Sequence, residues 1–438
     1  MKKCVTALSF ALTVFCFSFQ VNSVAAQAKK QDSKSDPYTQ QAIATANAKT
    51  TKDAFAIIDQ LEPITRKDHI ELTEIPAPPF KESVRALRYK QLLEAVGPNK
   101  VWMDSLGNVL ALRKGKKGGR TIVLDAHLDT VFPEGTDVKV KIKGDTLFAP
   151  GISDDTRGLV VMLTVLRALE KANIQTNDDV LFLASVGEEG LGDLRGVKYV
   201  VNKSNVKIDS WISIDGIEIG GVFNGALGSV RYKVIYNGPG GHSWGAFGLA
   251  NPHHAMAKGM NYFADAASKF TSTGIKTSFN VGRTGGGTSV NSIPFESWAE
   301  IDMRSESPIQ LNKIDSILKA TFTRGLSEYN ASITKGPLLT LSFEQIGFRP
   351  SGRTSGKEAL IQRSLAAAKY FTPSPELMIG STNANSATAK GIPAVTIGAG
   401  GKSNNEHSLD EWWLNEKGAD GIKFVLLTLL LEAGVDKK

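Results

Sequence analysis

The feature that most constrains this chain is a strand–helix–strand–strand rhythm between residues 121 and 216. "TIVLDAHLDTV" (121–131) starts as a short apolar strand after the turn-forming "KKGGR", and "GLVVMLTVLRALEKA" (158–172) has helical spacing and length. "DDVLFLASVGEEG" (178–190) and "DSWISIDG" (209–216) read as further buried strands. Strands that are apolar along their whole length are covered on both faces, which predicts a mostly parallel sheet with helices packed on either side. The fold class is therefore α/β. The same pattern resumes with a helix from Glu358, the strand "PAVTIGAG" and the terminal helix "GADGIKFVLLTLLLEAGV".

Between these parts the character changes. "LGSVRYKVIYNG" alternates like a half-exposed strand, and "NPHHAMAKGMNYFADAASKF" reads as a helix with Asn251 as cap and Pro252 in its first turn. The strands "KTSFNVG" and "SWAEIDMRS" flank the glycine-rich "RTGGGTSVNSIP"; the helix "PIQLNKIDSILKATFTRGLSEYN" and the strand "LLTLSFEQIG" follow. This predicts a small α+β domain over 225–347 inserted into an α/β domain built from 61–224 and 348–438. With 438 residues, more than one core is expected.

Ahead of these lies "MKKCVTALSFALTVFCFSFQVNSVAAQAKK". Lys2 and Lys3 precede an apolar run from Cys4 to Phe19, and small residues around Ala25, Ala26 and Ala28 offer a cleavage site. The expectation is a leader over 1–28, hence export to a periplasm or the exterior, and no membrane attachment after cleavage. An uncleaved anchor is the alternative, though the run is short for a bilayer span. Cys4 and Cys16 are the chain's two cysteines, so the processed chain would have no disulfide. Residues 29–60, rich in Lys, Gln, Ser, Thr and Ala, read as a tether or frayed helix. The formal charge of 51 − 44 = +7 is dispersed, without the basic runs and interleaved aromatics that nucleic acid would call for.

Chemistry gathers beyond the carboxyl ends of parallel strands, and His127, Glu188 and Asp215 fall there. His127 stands two residues before Asp129, on the same side of the strand, where a carboxylate could fix the ring's tautomer. Asp154 and Asp155 adjoin in the glycine-flanked "APGISDDTRG", Glu188 and Glu189 in "GEEG", and His407 lies in "NNEHSLDEW". Singly, each has an ordinary reading: a structural histidine, a helix cap, a solvated acid. Together they supply two imidazoles and at least four carboxylates, a nitrogen and oxygen ligand set without cysteine that suits zinc, cobalt or manganese in a hydrolytic site.

The ordered set "HLDTV", "GISDD", "GEEG", "SIDG", "GGHS" and "EHSLDEW", with "TEIPAPPFKE" as its opening, resembles the dinuclear zinc exopeptidases and deacylases, a family of aminoacylases, glutamate carboxypeptidase, dipeptidases and tripeptidases. The resemblance runs from about residue 60 to 435. It implies an α/β/α catalytic domain with a lid and dimerisation insert, and two zinc ions per subunit. His127, Asp154 and Asp215 would hold one ion, and Asp154 would bridge to a second held by Glu189 and His407. Asp129 would orient His127, and Glu188 would be the general base. A cis peptide often follows the bridging acid, here Asp154–Asp155. His242 would reach across a homodimer to stabilise an oxyanion, and Asn291 and Arg304 would bind the polar end of a short peptide or N-acyl amino acid. Thr156, where relatives often carry Lys, and Asn383, where many carry an acid, depart from the pattern.

"GHSWG" (241–245) also fits a serine-hydrolase elbow, which makes Ser243 a rival nucleophile. An elbow turns directly from strand to helix. Here the strand ends near Tyr236 and the next helix starts near Asn251, so the placement is poor. A peptide-binding protein without catalysis is the other rival. His253 and His254 match no motif and read as helix surface.

Overall fold

The computed structural model describes residues 36–435. The predicted leader lies outside the described residues, among which no helix is long and apolar enough to cross a membrane.

A nine-stranded sheet forms the larger layer. Its centre is parallel: Thr121–His127 lies between Asp179–Ser185 and Ser210–Ile214, and Ala394–Ile397 pairs with the far side of Ser210–Ile214. His127 is level with Ser185, and Ile397 with Ile214, so these strands end together along one rim. The flanks differ from the expected mostly parallel sheet. Lys100–Met103 pairs antiparallel with Val109–Arg113, which pairs antiparallel with Asp179–Ser185. On the other side Gly221–Ala226 is antiparallel to both Ala394–Ile397 and Gly352–Arg353. The sheet is mixed because its flanking connections are short: residues 104–108 can close a hairpin, whereas a parallel return needs a dozen residues or more.

Helices cover both faces. Thr156–Lys171 and Gly418–Ala433 are buried almost all round, which is why "VVMLTVL" and "VLLTLLL" lack a polar stripe. Of the two readings of residues 29–60, the described part takes the helical one and is packed: Pro37–Asn47 and Lys49–Gln60 are helices whose Ala42, Ala46, Ala54 and Ile58 join the main core. Their buried face is mostly alanine, which gives little hydrophobic signal in the sequence.

The insert is a separate antiparallel sheet in the order Thr277–Gly286, Glu296–Ser305, Gly228–Asn237, Thr340–Arg349. Helices Pro252–Thr271 and Pro308–Asn330 pack on one face, capped by Asn251 and Ser307 with proline next to each cap. Strict in–out alternation along Glu296–Ser305 reflects burial on one side only. The insert has its own core, including Tyr236, Phe263 and Phe322. Truncating Phe322 to Ala there would cost about 3–5 kcal/mol.

Candidate active site

The strand rim carries an open cleft of about 360 Å³, lined by His127, Asp154, Glu188, Glu189, Asp215 and His407 together with Arg231, Arg304 and Arg349. Each acidic or imidazole group arrives by a turn that the sequence explains. His127 is the last residue of its strand, and its backbone N–H donates to Asp155 Oδ2 at 2.9 Å. The other oxygen of Asp155 caps helix Thr156–Lys171 through Gly158 N–H at 3.0 Å. Thr156 donates its hydroxyl to Gly151 O at 2.7 Å and closes the loop that presents Asp154. The Asp154–Asp155 peptide is cis.

Asp154 stands between the two imidazoles. His127 Nε2 is 3.0 Å from Oδ1, and His407 Nε2 is 2.9 Å from Oδ2 and 3.0 Å from Glu189 Oε1. His127, Asp154 and Glu189 can place ligand atoms within 4.8 Å of one another. Asp215 shares the cleft without a side-chain hydrogen bond among the described residues. Burial, and then the neighbouring Asp154 charge, push its carboxyl well above the usual range. Burial alone would lower His127, but the Asp129 and Asp154 carboxylates override it and hold the imidazolium form to well above its ordinary range. Asp154 and Glu189 raise His407 to about 10. Without an ion, these carboxylates thus favour the protonated form of both imidazoles. A ligand set of this kind fits divalent metal, whose binding would displace those protons.

Asp129 acts differently from the sequence expectation. The His127 ring donates from Nδ1 to the backbone carbonyl of Asp129 at 3.0 Å, while the Asp129 carboxylate is 3.6 Å away, too far for a hydrogen bond. That carboxylate instead accepts the N–H groups of Glu188 and Glu189 at 2.9 and 2.8 Å. Residue 129 therefore fixes the imidazole through its main chain and the Glu-Glu turn through its side chain.

Glu188 is 3% exposed. Burial raises its pKa to about 7 against the opposing charge of Arg349, whose Nη1 is 2.7 Å from Oε1. Arg349 also donates to the Glu188 carbonyl and to Ser381 Oγ. It closes the last strand of the insert, and no sequence motif signalled it, because its partner lies 161 residues away. Arg231 was missed for the same reason. Its Nε and that of Arg304 each donate at 2.8 Å to one oxygen of Asp302, so a single carboxylate aligns two guanidinium groups at the cleft wall.

Of the remaining predicted residues, Arg304 lines the cleft, whereas His242 and Asn291 do not. Gly241–His242 forms a two-residue bridge with Ser292–Ile293, and Asn291 O accepts from Ser243 N–H at 2.9 Å. Both His242 and Asn291 are exposed. Among the described residues no histidine hydrogen-bonds the Ser243 hydroxyl. His242 Nδ1 faces the N–H groups of Trp244 and Gly245 at 3.2 and 3.3 Å instead. His253 and His254 lie on the helix surface, against Ser297 and Tyr329. Asn383 donates to the buried Asp125 at 2.5 Å and to Ser185 Oγ at 2.8 Å. An acid at 383 would set two carboxylates face to face there.

Known proteins resemble this chain in sequence and fold. YqjE of Bacillus subtilis, itself uncharacterised, is 26% identical over 306 residues, covering 67% of this chain and 76% of its own. The fold is shared with the aminopeptidase PepT of Bacillus cereus (TM-score 0.66, 20% identity, 84% of this chain and 98% of that one). It is also shared with the dipeptidase Dug1p of Saccharomyces cerevisiae (TM-score 0.68, 14% identity, 87% and 98%). The model of peptidase family M20/M25/M40 matches residues 123–431, a span that contains every ligand candidate on the rim. The chain belongs to that family and is a metallohydrolase.

Proposed function

We propose that this enzyme is an exported hydrolase that cleaves a peptide or N-acyl amide bond at the end of a small peptide-like substrate, with two zinc ions per subunit. Cobalt or manganese would suit the same ligands. The observation that carries this reading is Asp154, whose two carboxylate oxygens face two different imidazoles at 3.0 and 2.9 Å. His127 and Asp215 would complete one ion's ligands, Glu189 and His407 the other's. When bound, the ions supply Lewis-acid polarisation of the scissile carbonyl and a water acidic enough to ionise near neutral pH.

Glu188 takes the water's proton and passes it to the leaving nitrogen. Its pKa of about 7 suits both halves of that transfer. The guanidinium groups of Arg231 and Arg304, which line the same cleft, hold an anionic substrate end. His242 acts in a homodimer formed through 225–347, donating to the oxyanion in the partner's cleft. Its loop carries Trp244 and Phe247, 88% and 79% exposed, which a monomer would leave against water. The leader sequence supports export.

Chelator-treated protein, assayed by mass spectrometry on di-, tri- and N-acyl-amino-acid substrates, should be inactive and regain activity with zinc or cobalt. Activity indifferent to chelation refutes the reading. Glu188→Gln should keep its zinc and substrate affinity while kcat drops about 10²–10⁴-fold. Undiminished turnover would refute Glu188 as the base and leave the serine-based alternative, which Ser243→Ala tests.

A further inference from the structure

Glu411 is a buried acid that forms no ion pair among the described residues. Its side chain is fully enclosed, and its hydrogen-bonding capacity is filled by the loop that presents Asp154. Oε2 accepts Gly151 N–H at 2.8 Å. Oε1 accepts Ser153 N–H at 2.8 Å, Ser153 Oγ–H at 2.6 Å and Asp154 N–H at 3.1 Å. The Glu411 carbonyl accepts from Ala149 N–H at 3.1 Å. That bond continues a ladder in which strand Trp412–Leu414 pairs with Thr146–Phe148.

Glu411 also closes the turn that presents His407. Its N–H donates to Ser408 O at 3.2 Å, and Ser408 N–H to Asn405 O at 3.0 Å. Asn405 and His407 are both left-handed, at φ 61° and 64°, so the turn is sharply bent where the imidazole leaves it. One residue therefore bonds both the loop of Asp154 and the turn of His407. The side chains of Asp154 and His407 meet at 2.9 Å.

We propose that Glu411 is a positioning residue of the metal centre. It clamps loop 151–154 to turn 405–411 so that Asp154 and His407 face one ion at a fixed separation. Glu411 touches neither ion nor substrate and acts through the Asp154 main chain and Ser153. The inference rests on Asp154 and His407 being metal ligands. A buried carboxylate without a countercharge is costly unless its oxygens are well bonded, and here four donors from a single loop do so. In "NNEHSLDEW" the histidine alone carries a ligand signal in the sequence.

Glu411→Gln is nearly isosteric, yet both oxygens accept backbone N–H groups. Whichever way the amide turns, a donor meets a donor. The test compares zinc-loaded wild type, Glu411→Gln and Ser153→Ala by zinc release to a chromogenic chelator, zinc content, and melting of the metal-free proteins. Glu411→Gln should release zinc about 10–100-fold faster, with KM unchanged and kcat recovering as free zinc is raised. Ser153→Ala, which removes a single donor, should show a smaller acceleration and near-wild-type melting. If Glu411→Gln does not fold, Ser153→Ala carries the comparison. Release rates equal to wild type in folded variants overturn the inference, including the case where only the metal-free melting point falls, since that is all a purely structural role would give. Failure of wild type itself to hold zinc overturns the metal-centre reading with it.

Discussion

His69 gives a stability prediction with a definite sign. It lies in helix Glu62–Thr73, 1% exposed, with Nε2 donating to Ile152 O at 2.6 Å and Nδ1 without a partner among the described residues. Burial, then the nearby Arg157 charge, lower its pKa to about 3. The folded state thus keeps the ring neutral while the unfolded chain protonates it near the ordinary 6.5. Between those values the unfolded state binds more protons, so stability falls as pH falls. The contribution is fully present above pH 6.5, with ~2 kcal/mol lost at pH 5 and ~3 kcal/mol at pH 4. His69→Gln retains an amide donor for Ile152 but does not titrate. Urea unfolding of chelator-treated protein, followed by tryptophan fluorescence at pH 7, 5 and 4, should show the wild-type advantage over His69→Gln shrinking by those amounts. A stability difference that stays constant across the three pH values refutes the reasoning.

Arg349→Met leaves Glu188 buried without its cation and should cost about 3–5 kcal/mol in denaturant unfolding. Adding Glu188→Gln to it should restore part of that loss, whereas additive losses would contradict the pairing. Asn383→Asp sets a second carboxylate 2.5 Å from Asp125, where both cannot ionise. Its melting point should fall further below wild type at pH 8 than at pH 5, where one proton can be shared; the opposite trend counts against it. Ser243→Ala should leave kcat within about twofold, because no base lies beside its hydroxyl, and a loss of a hundredfold or more would revive the serine mechanism.

The parts of the fold most legible in the sequence were those where burial writes a pattern. Thr121–His127, Asp179–Ser185 and Ser210–Ile214 are covered on both faces and read as unbroken apolar runs. Once they were parallel, acids and a histidine at their carboxyl ends had to share a rim. The insert was legible from alternation and from its Asn251-Pro252 cap. Alanine-faced helices before residue 60 gave no such signal. Two arginines of the cleft were also hidden, because Arg231 and Arg349 come from an inserted sheet whose docking no local periodicity encodes. Asp129 shows a subtler limit: i, i+2 spacing placed it beside His127 correctly, yet main-chain geometry decided which of its oxygens met the ring. Asn383, a departure from the family pattern, makes sense only beside Asp125, a contact 258 residues long in sequence.

The central claim is that one carboxylate, Asp154, is shared by two ions. An anomalous-difference map at the zinc edge, from crystals grown with zinc, tests it most directly. Two peaks about 3.5–4 Å apart, one beside His127 and Asp215 and one beside Glu189 and His407, with an Asp154 oxygen on each, are the expected result. Zinc elsewhere on the surface, and no density between Asp154 and either imidazole, would contradict it.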